Sequence, residues 1–167
     1  MTYDWPLYFC LFLALWSAVV GGVFSAFSEF IMSALLKAEP TAGIEAMQHI
    51  NRDVIKTQFV AGILSIAVFS MFFSFYSFAV FEGPALVTLM LATLVYMPSV
   101  FLMTMLGNVP MNNKLEGLDH ASDQARAYWL EYVKRWTRLN HFRSFGSVLT
   151  AGLYIIAAIT LITSGQV

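Results

Sequence analysis

Residues 107–143 read GNVPMNNKLEGLDHASDQARAYWLEYVKRWTRLNHFR, a run of asparagines, charges and two tryptophans set between long apolar stretches. On its N-terminal side lie Trp5 to Leu36, Phe59 to Phe81 and Ala85 to Leu106, and on its C-terminal side Phe145 to Ile162. Each is near or above the roughly 20 apolar residues that a helix needs to cross the hydrocarbon core. The 167 residues are 59% hydrophobic and 11% charged, far from the roughly one-quarter charged content of soluble domains. The chain therefore reads as an integral membrane protein of four spans, with residues 1–167 forming a single domain. The fold class is all-α, a four-transmembrane-helix bundle.

Charge placement orients the bundle. All nine basic residues follow the first or the third span: Lys37, Arg52 and Lys56, then Lys114, Arg126, Lys134, Arg135, Arg138 and Arg143. The positive-inside rule then puts both polar segments in the cytoplasm and both termini on the far side. The N-terminal MTYDW has no basic residue and the apolar stretch after it is too long for a signal core, so the first span is expected to be retained. A net charge of −1 without clustered excess Lys and Arg excludes nucleic acid as a partner. The single Cys10 can form no intramolecular disulfide and is expected to pack as a small apolar residue.

In the first span Ser17, Gly21, Ser25 and Glu29 recur every four residues, a small-residue stripe that lets another helix approach closely. The stripe suits packing within the chain or a homo-oligomer. After it, Pro40 stops the helix and Thr41 is a candidate N-cap for a short amphipathic helix carrying Ile44, Met47 and Ile50 at the membrane surface. Glu82-Gly83-Pro84 spells a tight turn between the second and third spans. Pro98 should kink the third span, and Gly107 with Pro110 should make a compact turn at its end. Ser122 or Asp119 can cap a helix through Tyr128, Trp129, Tyr132, Val133 and Trp136 that runs on through Asn140 as a cytoplasmic extension of the fourth span.

Several residues could carry chemistry. Glu29 lies about two turns inside its span, where an ionisable group is expensive and marks a functional hypothesis; pairing with Arg143 or His141, or reaching the interface alone, is the alternative. Glu45 and His49 at i, i+4 share one helix face and could bind iron, copper or zinc with His141 and Glu29; a solvated face is the plainer reading. Asn108, Asn112 and Asn113 around Pro110 offer amides to a polar ligand, or serve to cap the third helix. In WTRLNHFR, Trp136, Asn140 and Arg143 fall on neighbouring turns of one face. His141 is the candidate general acid or base, since its ordinary pKa lies near neutrality. Interface anchoring would equally explain Trp136 and Arg143. Aromatic residues make up 16% of the chain, which suits a flat hydrophobic ligand as well as lipid contact. No haem-ligating histidine pair lies within a span, and phosphate loops and nucleophile elbows are absent.

The segments GGVFSAFSEFIM, TAGIEAMQHIN, GNVPMNNKLEGLD and WTRLNHFR, in this order, resemble the anthrone oxygenase-like family of small four-helix membrane proteins, which has many bacterial members. The resemblance implies a bacterial inner-membrane protein and carries over Asn51, Asn108, Pro110, Asn112, Trp136, Asn140, His141 and Arg143. At Glu29 and His49 the chain departs from the family, which more usually has a small or apolar residue at each. Some fungal members oxidise an anthrone to an anthraquinone with dioxygen.

Together these readings give a membrane oxidoreductase using dioxygen on a hydrophobic aromatic substrate, anthrone- or quinol-like, at a cytoplasmic-side pocket. His141 or Glu29 would remove a proton, and Asn108, Asn112 and Arg143 would stabilise the oxyanion in a low-dielectric pocket. Asn51, Trp136 and Asn140 would bind the substrate. The cofactor expectation is none, or a single transition metal on Glu29, Glu45, His49 and His141. The second reading is a non-catalytic membrane subunit or small-molecule-binding module docked on a membrane-protein partner. Membrane lipid is a partner in both.

Overall fold

A computed structural model describes residues 4–167. The first three residues, part of the N-terminal segment without basic residues considered above, lie outside them. All regular structure among the described residues is helical, in five helices: α1 (Trp5–Lys37), α2 (Pro40–Val54), α3 (Gln58–Val80), α4 (Gly83–Glu116) and α5 (Asp123–Thr163). The helices α1, α3, α4 and α5 are long and apolar enough to cross a membrane.

Length decides where polar chemistry can sit. The 41 residues of α5 span about 60 Å at 1.5 Å per residue, about twice the hydrocarbon thickness. With 33 and 34 residues, α1 and α4 also overshoot, while the 23 residues of α3 roughly match the bilayer. The surplus of α4 and α5 and the whole of α2 gather at one end, forming a polar cap over the bundle. Ser122 starts α5 by accepting from the Ala125 N–H at 3.1 Å, and its helix continues unbroken from cap to span as the sequence indicates.

Packing runs in three stacked clusters. Cys10, Leu13, Phe73, Leu89, Tyr154 and Leu161 fill the end far from the cap. Val20, Phe24, Ile63, Ile66, Tyr96 and Val100 fill the middle. Met32, Ile44, Met47, Met111, Leu115, Trp129 and Trp136 join the cap to the bundle. The small-residue stripe works within the chain: a Cβ on Gly21 would sit 3.1 Å from Ser147 Cβ of α5, so the glycine lets α1 and α5 close up. Gly83, at φ 61°, makes the expected tight turn into α4 in a backbone region that glycine enters freely.

Three local expectations change, and the disturbance expected at Pro98 takes a specific form. The N-cap of α2 is Glu39, whose carboxylate accepts from Thr41 and Ala42 N–H at 2.8 and 3.3 Å; Thr41 lies two residues past that cap, as the second residue of the helix. The apolar face of α2 packs on α4 and α5 through Ile44 and Met47, so it is spent on protein rather than on lipid. Pro98 sits in π-helical turns at Met97–Leu102, where the wider i→i+5 spacing accommodates the missing N–H. No turn follows Gly107. The helix passes through a second π segment, Thr104–Asn108, and continues to Glu116, so the three asparagines stand on helix faces instead of in a loop. Asn108 consequently caps nothing.

Candidate functional site

A cavity of about 420 Å³ lies where the bundle meets its cap. Its walls are mostly apolar: Val23, Phe24 and Phe27 from α1, Met47 and Ile50 from α2, Phe59, Val60, Ile63 and Leu64 from α3, and Phe101 and Met105 from α4. The polar lining is Asn51, Arg52, Thr104, Asn108, Asn112, Asn113, Glu116, Trp136 and Arg143. Each π segment borders this space. Phe27 opens the one in α1 (Phe27–Ile31), Phe101 belongs to Met97–Leu102, and Thr104 and Asn108 to the third.

Arg143 is the central charge. It is only 5% exposed and has no carboxylate within salt-bridge distance among the described residues. Its guanidinium donates to Asn140 Oδ1 at 2.6 Å and to Thr104 Oγ1 at 3.4 Å. It lies over the Phe24 ring at 4.2 Å and the Trp136 ring at 5.1 Å, an arrangement in which ring faces partly replace water around the cation. Its Nε finds no acceptor among the described residues. An unpaired buried cation is costly unless something compensates it.

The asparagines are held by one-way partners, and so their orientations follow from chemistry. Asn140, fully buried, donates to the Phe24 carbonyl and to Ser28 Oγ, both at 2.6 Å. A carbonyl only accepts, so Asn140 must turn its oxygen to Arg143. By the same rule Asn108 spends its NH2 on the Trp136 carbonyl at 3.3 Å and leaves a buried oxygen without a donor. Asn112 accepts through Oδ1 from Trp136 Nε1 at 2.8 Å and from the Tyr132 hydroxyl at 2.9 Å. The Asn51 amide nitrogen, beside that hydroxyl, completes no hydrogen bond. At the mouth Arg52 and Glu116 pair at 2.9 Å. Gln48 fixes the cap by donating to the Leu115 and Leu118 carbonyls, each at 2.8 Å.

The structure thus brings Asn51, Asn108, Asn112, Trp136, Asn140 and Arg143 into one neighbourhood, and it leaves the other candidates outside. Glu29, Glu45, His49 and His141 are all exposed and none lines the cavity. Among the described residues no three His, Cys, Asp or Glu side chains are gathered as metal ligands, so the four do not form the expected centre. His141 follows the buried Asn140 by one residue, and a helix turns about 100° per residue, which rotates the imidazole away. Glu45 and His49 are exposed, each turned about 100° round the helix from the buried Ile44 and Gln48 that precede them. His141 and Glu29, the residues expected to act as base, thus lie outside this cavity's lining. Sequence reading missed Arg52, Thr104, Glu116 and Tyr132; for Thr104 and Glu116 the signal was spacing from Asn108 and Asn112 on the same helix.

Fold and site together define an integral-membrane four-helix protein with an apolar cavity under a polar cap and a buried arginine at its back. Residues 52–163 match the anthrone oxygenase family, and the chain belongs to it. The matched region holds Asn108, Asn112, Trp136, Asn140 and Arg143, whereas Glu29, Glu45, His49 and Asn51 precede it. No curated protein and no solved structure matches the chain.

Proposed function

We propose that the protein is a membrane-embedded oxygenase that draws a flat hydrophobic aromatic, anthrone- or quinol-like, into the cavity and oxidises it with dioxygen. The observation that carries this reading is Arg143, a cation without a carboxylate partner among the described residues, beside an apolar space lined by Phe24, Phe59 and Phe101. Such a site suits a hydrophobic ring system bearing an oxygen that becomes anionic. Family membership supports the reaction class. With an anthrone, loss of a ring-methylene proton leaves an aromatic enolate whose oxygen Arg143 stabilises. Dioxygen then adds to the ring carbon. One of its atoms remains as the new quinone carbonyl, and the other leaves with both methylene hydrogens as water, so no further reductant is consumed.

Glu116 takes the proton in this scheme, since it is the one carboxylate among the lining residues. Asn108 accepts a substrate hydroxyl, because its free atom is the oxygen. The nine basic residues lie at the cap end or in the helices leading to it, and the positive-inside rule assigns that end to the cytoplasm and both termini to the other side.

The test follows oxygen uptake and quinone absorbance with a hydroxylated anthrone and the protein in lipid nanodiscs. Arg143→Gln is expected to lower kcat/KM by about 10²–10³-fold, and Glu116→Gln to lower kcat by about 10²–10⁴-fold. A wild-type rate equal to spontaneous oxidation overturns the reading. Tight binding without turnover assigns the cavity to a non-catalytic binding module instead.

A further inference from the structure

The Asn112 side chain has two hydrogen-bonding ends, and the protein uses one of them twice. Trp136 Nε1–H can only donate, so the Asn112 atom 2.8 Å from it is the oxygen. The Tyr132 hydroxyl, at 2.9 Å, donates to that same oxygen. The NH2 end is thereby turned away from both rings and meets no acceptor among the described residues, while Asn112 lines the cavity. Across the same indole, Arg143 faces the Trp136 ring at 5.1 Å.

We propose that Trp136 and Tyr132 are positioning residues that lock Asn112 with its donor end toward the cavity, so that Asn112 and Arg143, flanking the Trp136 indole, select the enolate or phenolate form of an aromatic ligand. This specifies the ionic form recognised at the site proposed above and rests on that reading only for the kind of ring system. A flipped amide would present oxygen to the ligand and repel an anion. The indole N–H forbids the flip, and the Tyr132 hydroxyl, saturated by Asn112, offers the cavity no competing proton. The other charges lining the space, Arg52 and Glu116, neutralise each other at the mouth.

The probe is 2-hydroxyanthraquinone, which already has the quinone oxidation level and changes colour on ionisation. Titrated in nanodiscs, the bound phenol is expected to ionise about 1–3 pH units lower than in protein-free nanodiscs, as beside an unpaired cation. Asn112→Asp keeps an oxygen for Trp136 and Tyr132 but replaces the NH2 by a second oxygen, and it is expected to abolish or reverse the shift while the probe still binds. Trp136→Phe keeps the ring, frees the amide to flip, and should remove part of the shift. A wild-type protein that leaves the phenol's ionisation unchanged, or a shift indifferent to both variants, overturns the proposal. If Asn112→Asp fails to fold, Trp136→Phe with Arg143→Gln decides by the same readout. Because the probe cannot be turned over, failure of the oxygenase assay and failure of this titration are separate results.

Discussion

Asn140 joins the cavity to the bundle by a single amide. Its two donors are spent on Phe24 and Ser28 of α1 and its oxygen on Arg143, so one side chain both ties α1 to α5 and aims the guanidinium. Asn140→Leu, of similar size, leaves the Phe24 carbonyl with only its bond from the Phe27 N–H of the same helix and strands an Arg143 N–H, at about 1–3 kcal/mol for the unpaired group. A fall in thermal stability together with loss of probe binding is expected; unchanged melting would show that water replaces the amide. This part of the site was legible in WTRLNHFR, where Trp136, Asn140 and Arg143 repeat at the helical period. The same period should have turned His141 outward. Glu29 misled for a related reason: a four-residue step overruns a 3.6-residue turn by about 40°, so a stripe begun at Ser17 has drifted off its face by Glu29. The orientation of each asparagine was not legible, since it depends on partners from other helices.

The helices owe their placement to backbone proximity as much as to hydropathy. Gly146 of α5 faces Ser99 of α4, and a Cβ added at Gly146 would overlap the Ser99 side chain down to its Cβ, which a rotamer change cannot relieve. Gly146→Ala is expected to force α4 and α5 apart at a cost of about 1–3 kcal/mol, read as a lower melting temperature in detergent. The spans, the α3–α4 turn and the continuous α5 could all be read from residue patterns, because apolar length and Gly-Pro punctuation are local properties. The three π segments could not. Proline at 98 announces a disturbance, but the form it takes, π-helical turns at Met97–Leu102, also involves what packs around it, here the Ser99–Gly146 approach and the cavity beside Phe101.

Taken whole, the molecule is a lipid-facing bundle with one polar end, and its cavity uses all five helices. Val60 and Leu64 line it from α3, the helix whose outward face is the phenylalanine-rich surface of Phe69, Phe72 and Phe75. Filling the space from that side with Val60→Trp is expected to raise the Kd for 2-hydroxyanthraquinone at least about tenfold, some 1.4 kcal/mol, with little change in melting; unchanged affinity would place the ligand elsewhere. The π segments have one more consequence at this scale. Each inserts about one residue beyond the α-helical turn and so advances everything after it by about 100° around the helix axis. Asn112 meets Trp136 only after two such advances in α4. A sequence shortened by one residue between Met97 and Asn108 would keep its hydropathy profile, its spans and its topology, yet it would swing the asparagines out of phase and leave the cavity without that polar wall.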